Sequence, residues 1–118
     1  MRVYDFGRNH ALPVDHYESR NFMIARIFRG AQRETALDLA YLEPGGVIGK
    51  HPTGLDQLFM VVNGRGWVSG PDGKPEAISA GQAAFWQRGE EHETRTDNGL
   101  IAVIVQSNDL AHLLPDYA

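Results

Sequence analysis

The sequence contains no cysteine, which excludes disulfide bonds, thiolate metal ligands and thiol nucleophiles. It also has no apolar run near the roughly 18 residues that a membrane-spanning helix needs. Its 15 acidic residues outnumber its 11 basic ones, and the net charge of -4 disfavours nucleic acid and anionic membranes as partners. The segment Met1–Val14 is too polar for a signal peptide, so we expect a cytoplasmic protein.

The chain is rich in short apolar runs separated by turn residues. Its 118 residues, of which 42% are hydrophobic, suit a single domain with one core. Many short strands at close spacing predict an all-β sandwich or barrel. The candidate strands are Phe22–Phe28, Thr35–Leu42, Val47–Lys50, Leu58–Val62, Gly66–Ser69, Glu76–Ile78, Ala83–Trp86, His92–Thr94 and Leu100–Gln106.

Two segments depart from this pattern of strands. Residues 1–20 are predicted to form an N-terminal arm, with one possible strand at Arg2–Phe6 followed by irregular chain. A short C-terminal helix is predicted over Asn108–Leu114, because Ser107 or Asn108 is able to cap it and Pro115 would end it.

Two sets of residues recur at fixed spacings. The first is Gly45-x5-His51-x-Thr53-x3-Gln57-x6-Gly64, and the second is Gly81-x5-Gln87-x-Gly89-x2-His92-x3-Thr96. Side chains alternate faces along a strand, so residues two apart point the same way. His51 and Gln57 would then project into a barrel from neighbouring strands, and His92 from a third strand.

Two imidazoles and an amide that converge in this way are able to coordinate a divalent cation. The candidate ligands are therefore His51, Gln57 and His92. In the alternative, Gln57 hydrogen-bonds Thr53 or His92 inside a metal-free pocket. The residues expected to line the pocket are Thr53, Phe59, Val61, Phe85, Trp86 and Thr94.

The two spaced sets resemble the two motifs of the cupin family, G-x5-H-x-H-x3,4-E-x6-G and G-x5-P-x-G-x2-H-x3-N. Every spacing agrees over about residues 35–105, and the residue types depart at four positions. Those departures are Thr53 for His, Gln57 for Glu, Gln87 for Pro and Thr96 for Asn. The resemblance implies a single cupin domain over residues 1–118, with motif 1 at 45–64 and motif 2 at 81–96. Its fold would be a jelly-roll β-barrel, also described as a double-stranded β-helix.

The resemblance also implies a metal, since cupins bind Fe, Mn, Ni, Cu or Zn through the histidines and the glutamate of these motifs. His51 and His92 keep the ligand type, Gln57 offers a neutral and weaker oxygen, and Thr53 is a poor ligand. Without a carboxylate, the +2 charge of the ion would stay uncompensated. Two functions remain open: a small-molecule-binding cupin with a reduced or empty metal site, and a metal-dependent enzyme of the dioxygenase or isomerase type.

Apolar residues on both faces of two predicted strands indicate a further partner. Phe22–Phe28 and Leu100–Gln106 each turn one apolar face to the core and leave a second that needs cover. A second copy of the chain is the simplest cover, so we expect a homodimer with an isologous interface.

Overall fold

Short and long β-strands make up most of the protein in a computed structural model, which describes residues 1–30 and 34–114. The all-β class predicted from the sequence is confirmed. In chain order the strands are β1 (Leu12–Pro13), β2 (Arg20–Arg29), β3 (Thr35–Pro52), β4 (Asp56–Ser69), β5 (Glu76–Ser79), β6 (Ala83–Trp86), β7 (Glu91–Arg95) and β8 (Leu100–Ser107). Three 3₁₀ turns accompany them, at Arg8–His10, His16–Glu18 and Leu110–Leu113.

The two longest strands take part in both walls of the barrel. The first half of β3 pairs with β2 and β8, and its second half pairs with β7. Likewise, β4 pairs first with β8 and β6, then with β7 and β5. All these pairings are antiparallel. The inward side chains of both walls meet in one buried cluster that includes Leu42, Phe59, Trp86 and Leu100.

The sequence divided these two strands into four, and that expectation was wrong. Thr35–Leu42 and Val47–Lys50 belong to β3, while Leu58–Val62 and Gly66–Ser69 belong to β4. The turn residues between them bend the strand without ending it. Gly45 (φ +77°) and Gly64 (φ +82°) adopt the left-handed conformation that only glycine reaches at little cost. Each strand thereby passes from one wall to the other.

The predicted helix over Asn108–Leu114 is also wrong. The chain forms only the 3₁₀ turn Leu110–Leu113, since Asp109 has a φ of +56° that no right-handed helix accommodates. The backbone N–H of Ala111 donates to the Asp56 carboxylate at 3.3 Å. Pro115 lies outside the described residues. Among the described residues, no helix is long and apolar enough to cross a membrane.

The N-terminal arm covers part of the outer face of β2, β3 and β8. Arg2–Phe6 is not a strand; the arm pairs with β2 only through Leu12 and Pro13. The hydroxyl of Tyr41 on β3 donates to the Phe6 carbonyl oxygen at 2.9 Å. A second apolar cluster on this outer face packs against the arm at Ala11. Its members are Ala25, Leu39 and Tyr41, with Met23, Leu37, Ile101 and Val103 beside them. The N-terminal arm therefore covers part of the outer apolar face for which a partner subunit is expected from the sequence.

Candidate functional site

The two motifs meet at a pair of histidines. His51 on β3 and His92 on β7 are direct cross-strand partners. Their ring centroids are 4.4 Å apart, with the ring planes tilted by 54°. Two residues that are far apart in the sequence thus form one compact imidazole pair.

The tautomer of His51 follows from its hydrogen bond. Its Nδ1 lies 2.7 Å from the carbonyl oxygen of Gly49, which only accepts, so Nδ1 carries the proton. The lone pair of His51 is then on Nε2. Metal-binding histidines are commonly held by such a bond from the opposite ring nitrogen to a backbone carbonyl.

His92 is buried more deeply than its partner. Only 2% of its surface is exposed, and its Nδ1 has no hydrogen-bond partner among the described residues. Burial, reinforced by the charge of His51, lowers the pKa of His92 to about 4, and the Glu90 backbone opposes this shift because it approaches the ring, although without the geometry of a normal hydrogen bond. His92 is consequently a neutral imidazole at physiological pH, with an unpaired polar atom in the barrel interior. Buried polar atoms are seldom left without a partner in folded proteins.

Aromatic rings surround His92 on its inner side. The Trp86 ring lies 4.5 Å from the imidazole, and Phe59 packs 6.2 Å beyond Trp86. Phe59 is fully buried and Val61 is nearly so. Two residues along β7 from His92, Thr94 has a buried hydroxyl that also lacks a partner among the described residues. The predicted interior positions Phe59, Val61, Trp86 and Thr94 therefore face the barrel with the histidines.

Gln57 is buried on β4, where its strand neighbours are Trp86 and Gln106. Its side-chain oxygen accepts a hydrogen bond from the Gln106 amide at 3.4 Å. The bond to Thr53 or His92 that the metal-free alternative required is therefore replaced by one to Gln106. At this length the bond is weak, which leaves the Gln57 oxygen available to another partner.

Thr53, at the position of the second cupin histidine, holds the loop at the mouth of the barrel. Its buried hydroxyl donates to the carbonyl oxygen of Leu55. Its backbone bonds to Glu90 and Gly89, each at 3.0 Å. Thr53 thus fastens the β3–β4 connection to the loop before β7.

Phe85 is separated from the other predicted pocket residues. It pairs with Leu58, whereas Trp86 pairs with Gln57. Neighbouring residues of a strand point to opposite faces, so Phe85 lies half-buried on the outer face when Trp86 points inward.

Acidic residues do not complete the histidine pair. Among the described residues, no three His, Cys, Asp or Glu side chains are grouped closely enough to hold a metal ion. The two imidazoles suit a transition metal, but other ligands would have to be neutral oxygens or small molecules. A carboxylate-assisted site of the kind that the family motif specifies does not fit these residues.

Sequence reasoning missed one contact of the site and one buried acidic residue of the barrel. Tyr17 of the N-terminal arm lies flat on His51, with centroids 4.2 Å apart and planes within 6°. No local pattern marks this long-range contact. Asp38 is 2% exposed on the inward face of β3. Because the larger apolar residues Leu37 and Leu39 flank it, strand alternation favours an outward Asp38, and no local signal marks its burial.

Comparison with known proteins identifies the class. Residues 38–105 match the model of the cupin domain, and the chain therefore belongs to the cupin family. No curated protein sequence matches the chain.

Several solved structures share the fold. A predicted oxalate decarboxylase from Thermotoga maritima is 19% identical, with a TM-score of 0.76 over 88% of this chain and 96% of that one. The polyketide cyclase RemF from Streptomyces resistomycificus is 20% identical, with a TM-score of 0.75 over 90% and 78%. A cupin 2 conserved barrel domain protein from Salinispora arenicola is 16% identical, with a TM-score of 0.72 over 93% and 91%. At these identities the likeness shows the cupin barrel and no particular activity.

Proposed function

We propose that this protein binds a small molecule in its barrel through a reduced metal site. One divalent transition metal (Zn, Ni, Fe, Cu or Mn) would be held by His51 and His92. The observation that carries this proposal is the buried Nδ1 of His92, which has no hydrogen-bond partner among the described residues, beside a second imidazole whose lone pair is on Nε2. A metal or its bound ligand would satisfy polar atoms that are otherwise unpaired.

Gln57 is the third ligand in this proposal. Its buried oxygen has only a long hydrogen bond to give up, and it extends from the strand beside Trp86, which contacts His92. Thr53 stays outside the coordination shell because its hydroxyl is engaged by the Leu55 carbonyl.

The charge of the site determines the class of small molecule. Two neutral imidazoles and an amide leave the +2 charge of a bound ion uncompensated. The open positions would therefore favour an anion such as a carboxylate or an enolate over a neutral ligand. A metal bound here would supply Lewis acidity toward that anion.

Titration calorimetry of chelator-stripped protein with Zn²⁺ and Ni²⁺ tests the proposal. The parent should bind one ion, and His92→Ala should lose binding. Gln57→Glu should bind about tenfold more tightly, because adding ligand charge raises the affinity of a metal site. His10→Ala is the matched control: His10 is an exposed histidine on the arm and should bind as the parent does.

A fluorescence measurement locates the ion independently. The chain has two tryptophans, and Trp67→Phe leaves Trp86 as the single emitter. Because Trp86 lies against His92, bound Ni²⁺ should quench its emission. If His92→Ala binds as tightly as the parent, the metal is elsewhere and a metal-free pocket replaces this proposal.

A further inference from the structure

The segment His16–Asn21, here called the strap, crosses the outer edge of the histidine pair. Its Tyr17 ring is parallel to the His51 ring at 4.2 Å, while 60% of Tyr17 is exposed. The tyrosine therefore covers one face of His51 and turns its own other side to solvent. We propose that Tyr17 is the residue that controls which ligands reach the His51–His92 pair. This inference deepens the function proposed above and rests on it.

Gly49 couples the strap to His51. Its N–H donates to the Ser19 hydroxyl at 3.0 Å, and its carbonyl oxygen accepts the Nδ1 proton of His51 at 2.7 Å. The strap also passes so close that a Cβ at Gly49 would overlap the Tyr17 carbonyl. One glycine thus holds the cover in place and orients the imidazole beneath it.

The strap is held in a costly backbone conformation. Tyr17 and Glu18 both have φ of +60°, and Asn21 has φ of +51°. Residues other than glycine rarely adopt this left-handed conformation, and they keep it only where surrounding contacts enforce it. At Tyr17 the enforcing contacts are the bond from Gly49 to Ser19 and the stack on His51. The end of the strap is held by the pairing of Arg20 with Val47 and by the Asn21 amide, which donates to the Pro44 carbonyl at 3.3 Å. Loss of either contact at Tyr17 should therefore make the strap easier to displace.

Space for the displaced strap and for an entering ligand lies beside it. A cleft of about 400 Å³ borders Tyr17 and Gly49. Its charged lining residues are Arg20, Lys50, Arg95, Glu18 and Glu93. Two of the basic side chains are ion-paired, Lys50 with Glu91 and Arg95 with Glu93, each at 3.8 Å. The cleft is therefore polar, and it reaches the strap from the side away from His92.

The reactivity of His51 toward diethyl pyrocarbonate tests access without requiring a metal. Modification is followed by peptide mass spectrometry in chelator-stripped protein, with His10 as the internal reference. Tyr17→Ala should raise the His51 rate between about twofold and tenfold, since the attraction within an aromatic pair corresponds to that range as an equilibrium ratio. Tyr17→Phe keeps the ring and should react as the parent does.

Two further variants distinguish loss of the Tyr17 cover over His51 from general unfolding of the protein. Ser19→Ala, which loosens the strap but keeps the ring, should give a smaller increase than Tyr17→Ala. Tyr4→Ala removes another exposed tyrosine of the arm, one without a stack on His51, and should leave the rate unchanged. Circular dichroism checks that each variant is folded. Equal His51 rates in the parent and Tyr17→Ala would overturn the inference.

Nickel association then relates access to the metal site. In the Trp67→Phe background, quenching of Trp86 should be faster in Tyr17→Ala than in the parent, with Tyr17→Phe unchanged. If nickel binds at equal rates in all three, access control is refuted although the metal site stands. If His51 reactivity rises but neither protein binds nickel, the cover is supported and the metal function fails.

Discussion

The two ends of the barrel are built from the same strands but differ in how their buried polar groups are paired. At the bend, where β3 and β4 change walls, Leu42 and Leu100 are almost completely buried. The buried hydroxyl there, on Thr96, donates to the Arg65 carbonyl at 2.7 Å and accepts from the Gly99 N–H at 3.0 Å. At the mouth, His92 has an equally buried polar atom without a partner among the described residues. The buried hydroxyl at the bend is therefore paired within the protein, whereas a ligand would be able to pair the buried His92 atom at the mouth.

Close contacts at glycines also differ between the bend and the mouth. At the bend, a Cβ on Gly64 would overlap the Gly99 carbonyl, and one on Gly66 would overlap that of Arg95. These contacts are between backbone segments of the barrel itself, so they define a fixed scaffold. At the mouth, the close approach at Gly49 is instead to Tyr17, in the part of the strap that precedes β2. The bend is therefore fixed by contacts between barrel strands, whereas the mouth is also fixed by a contact with the N-terminal arm.

The largest expected contrast is in stability. Leu42→Ala should lower the free energy of unfolding by about 2–5 kcal/mol, because it leaves a cavity in packed core. Met60→Ala, on the outer face of β4 and 39% exposed, should change it by less than about 0.5 kcal/mol. Urea unfolding of the two variants makes the comparison. Similar losses would mean that Leu42 does not lie in tightly packed core.

The next contrast concerns acid. His92 has its pKa lowered from 6.5 to about 4, so the folded state resists protonation more than the unfolded chain does. Stability should be constant above pH 6.5 and fall as pH drops from 6.5 toward 4, by on the order of 3 kcal/mol for this group. Urea unfolding of metal-free protein at several pH values measures the loss.

A pair of variants tests whether this loss of stability in acid comes from His92 at the mouth. His92→Gln removes the titrating group and should show a flatter dependence over the same pH range. His10→Gln, at an exposed site on the arm, should keep the full dependence of the parent. If His92→Gln loses stability in acid as steeply as the parent does, the buried imidazole is not its source.

A smaller effect is expected at the loop that closes the mouth. Thr53→Val keeps the shape of the side chain but removes the hydroxyl that donates to Leu55. The free energy of unfolding should fall by about 1 kcal/mol, the usual net value of one hydrogen bond. Metal affinity by calorimetry should stay within the error of the parent value. A large loss of affinity would place Thr53 in the coordination shell after all.

The smallest effect on folding is expected on the outer face, where the homodimer is proposed to form. Met60 and Val62 are exposed on β4, beside the apolar cluster that the arm covers only in part. The parent should sediment at twice the chain mass, and Val62→Lys should sediment as a monomer. Measured at a concentration where the parent is also monomeric, its free energy of unfolding should differ by less than about 0.5 kcal/mol, because position 62 is then an exposed site. A monomeric parent at micromolar concentration would contradict the dimer.

The sequence was informative where spacing alone determines placement. Motif spacing and strand alternation predicted that His51 and His92 point into one barrel, and they are cross-strand partners. Gly45 and Gly64 lie where the sequence predicts turns, but the strands only bend there. A glycine with positive φ suits a turn and a bend equally well. Only the pairing on both sides of the glycine, a long-range property, shows that the strand continues.

Two other outcomes depended on contacts that local patterns do not encode. The C-terminal helix failed because Asp109 is left-handed and Ala111 bonds to Asp56 on a distant strand. Tyr17 went unnoticed because its neighbours in sequence give no sign of the stack on His51.

The aromatic and imidazole rings of the mouth form an unbroken series from the core to solvent. Phe59, Trp86, His92, His51 and Tyr17 follow one another with centroid separations of 6.2, 4.5, 4.4 and 4.2 Å. A change of side-chain volume at Phe59 would therefore act first on Trp86, which packs against His92. Under the function proposed above, a substitution at Phe59 should alter the ligand affinity of the site although both histidines are unchanged.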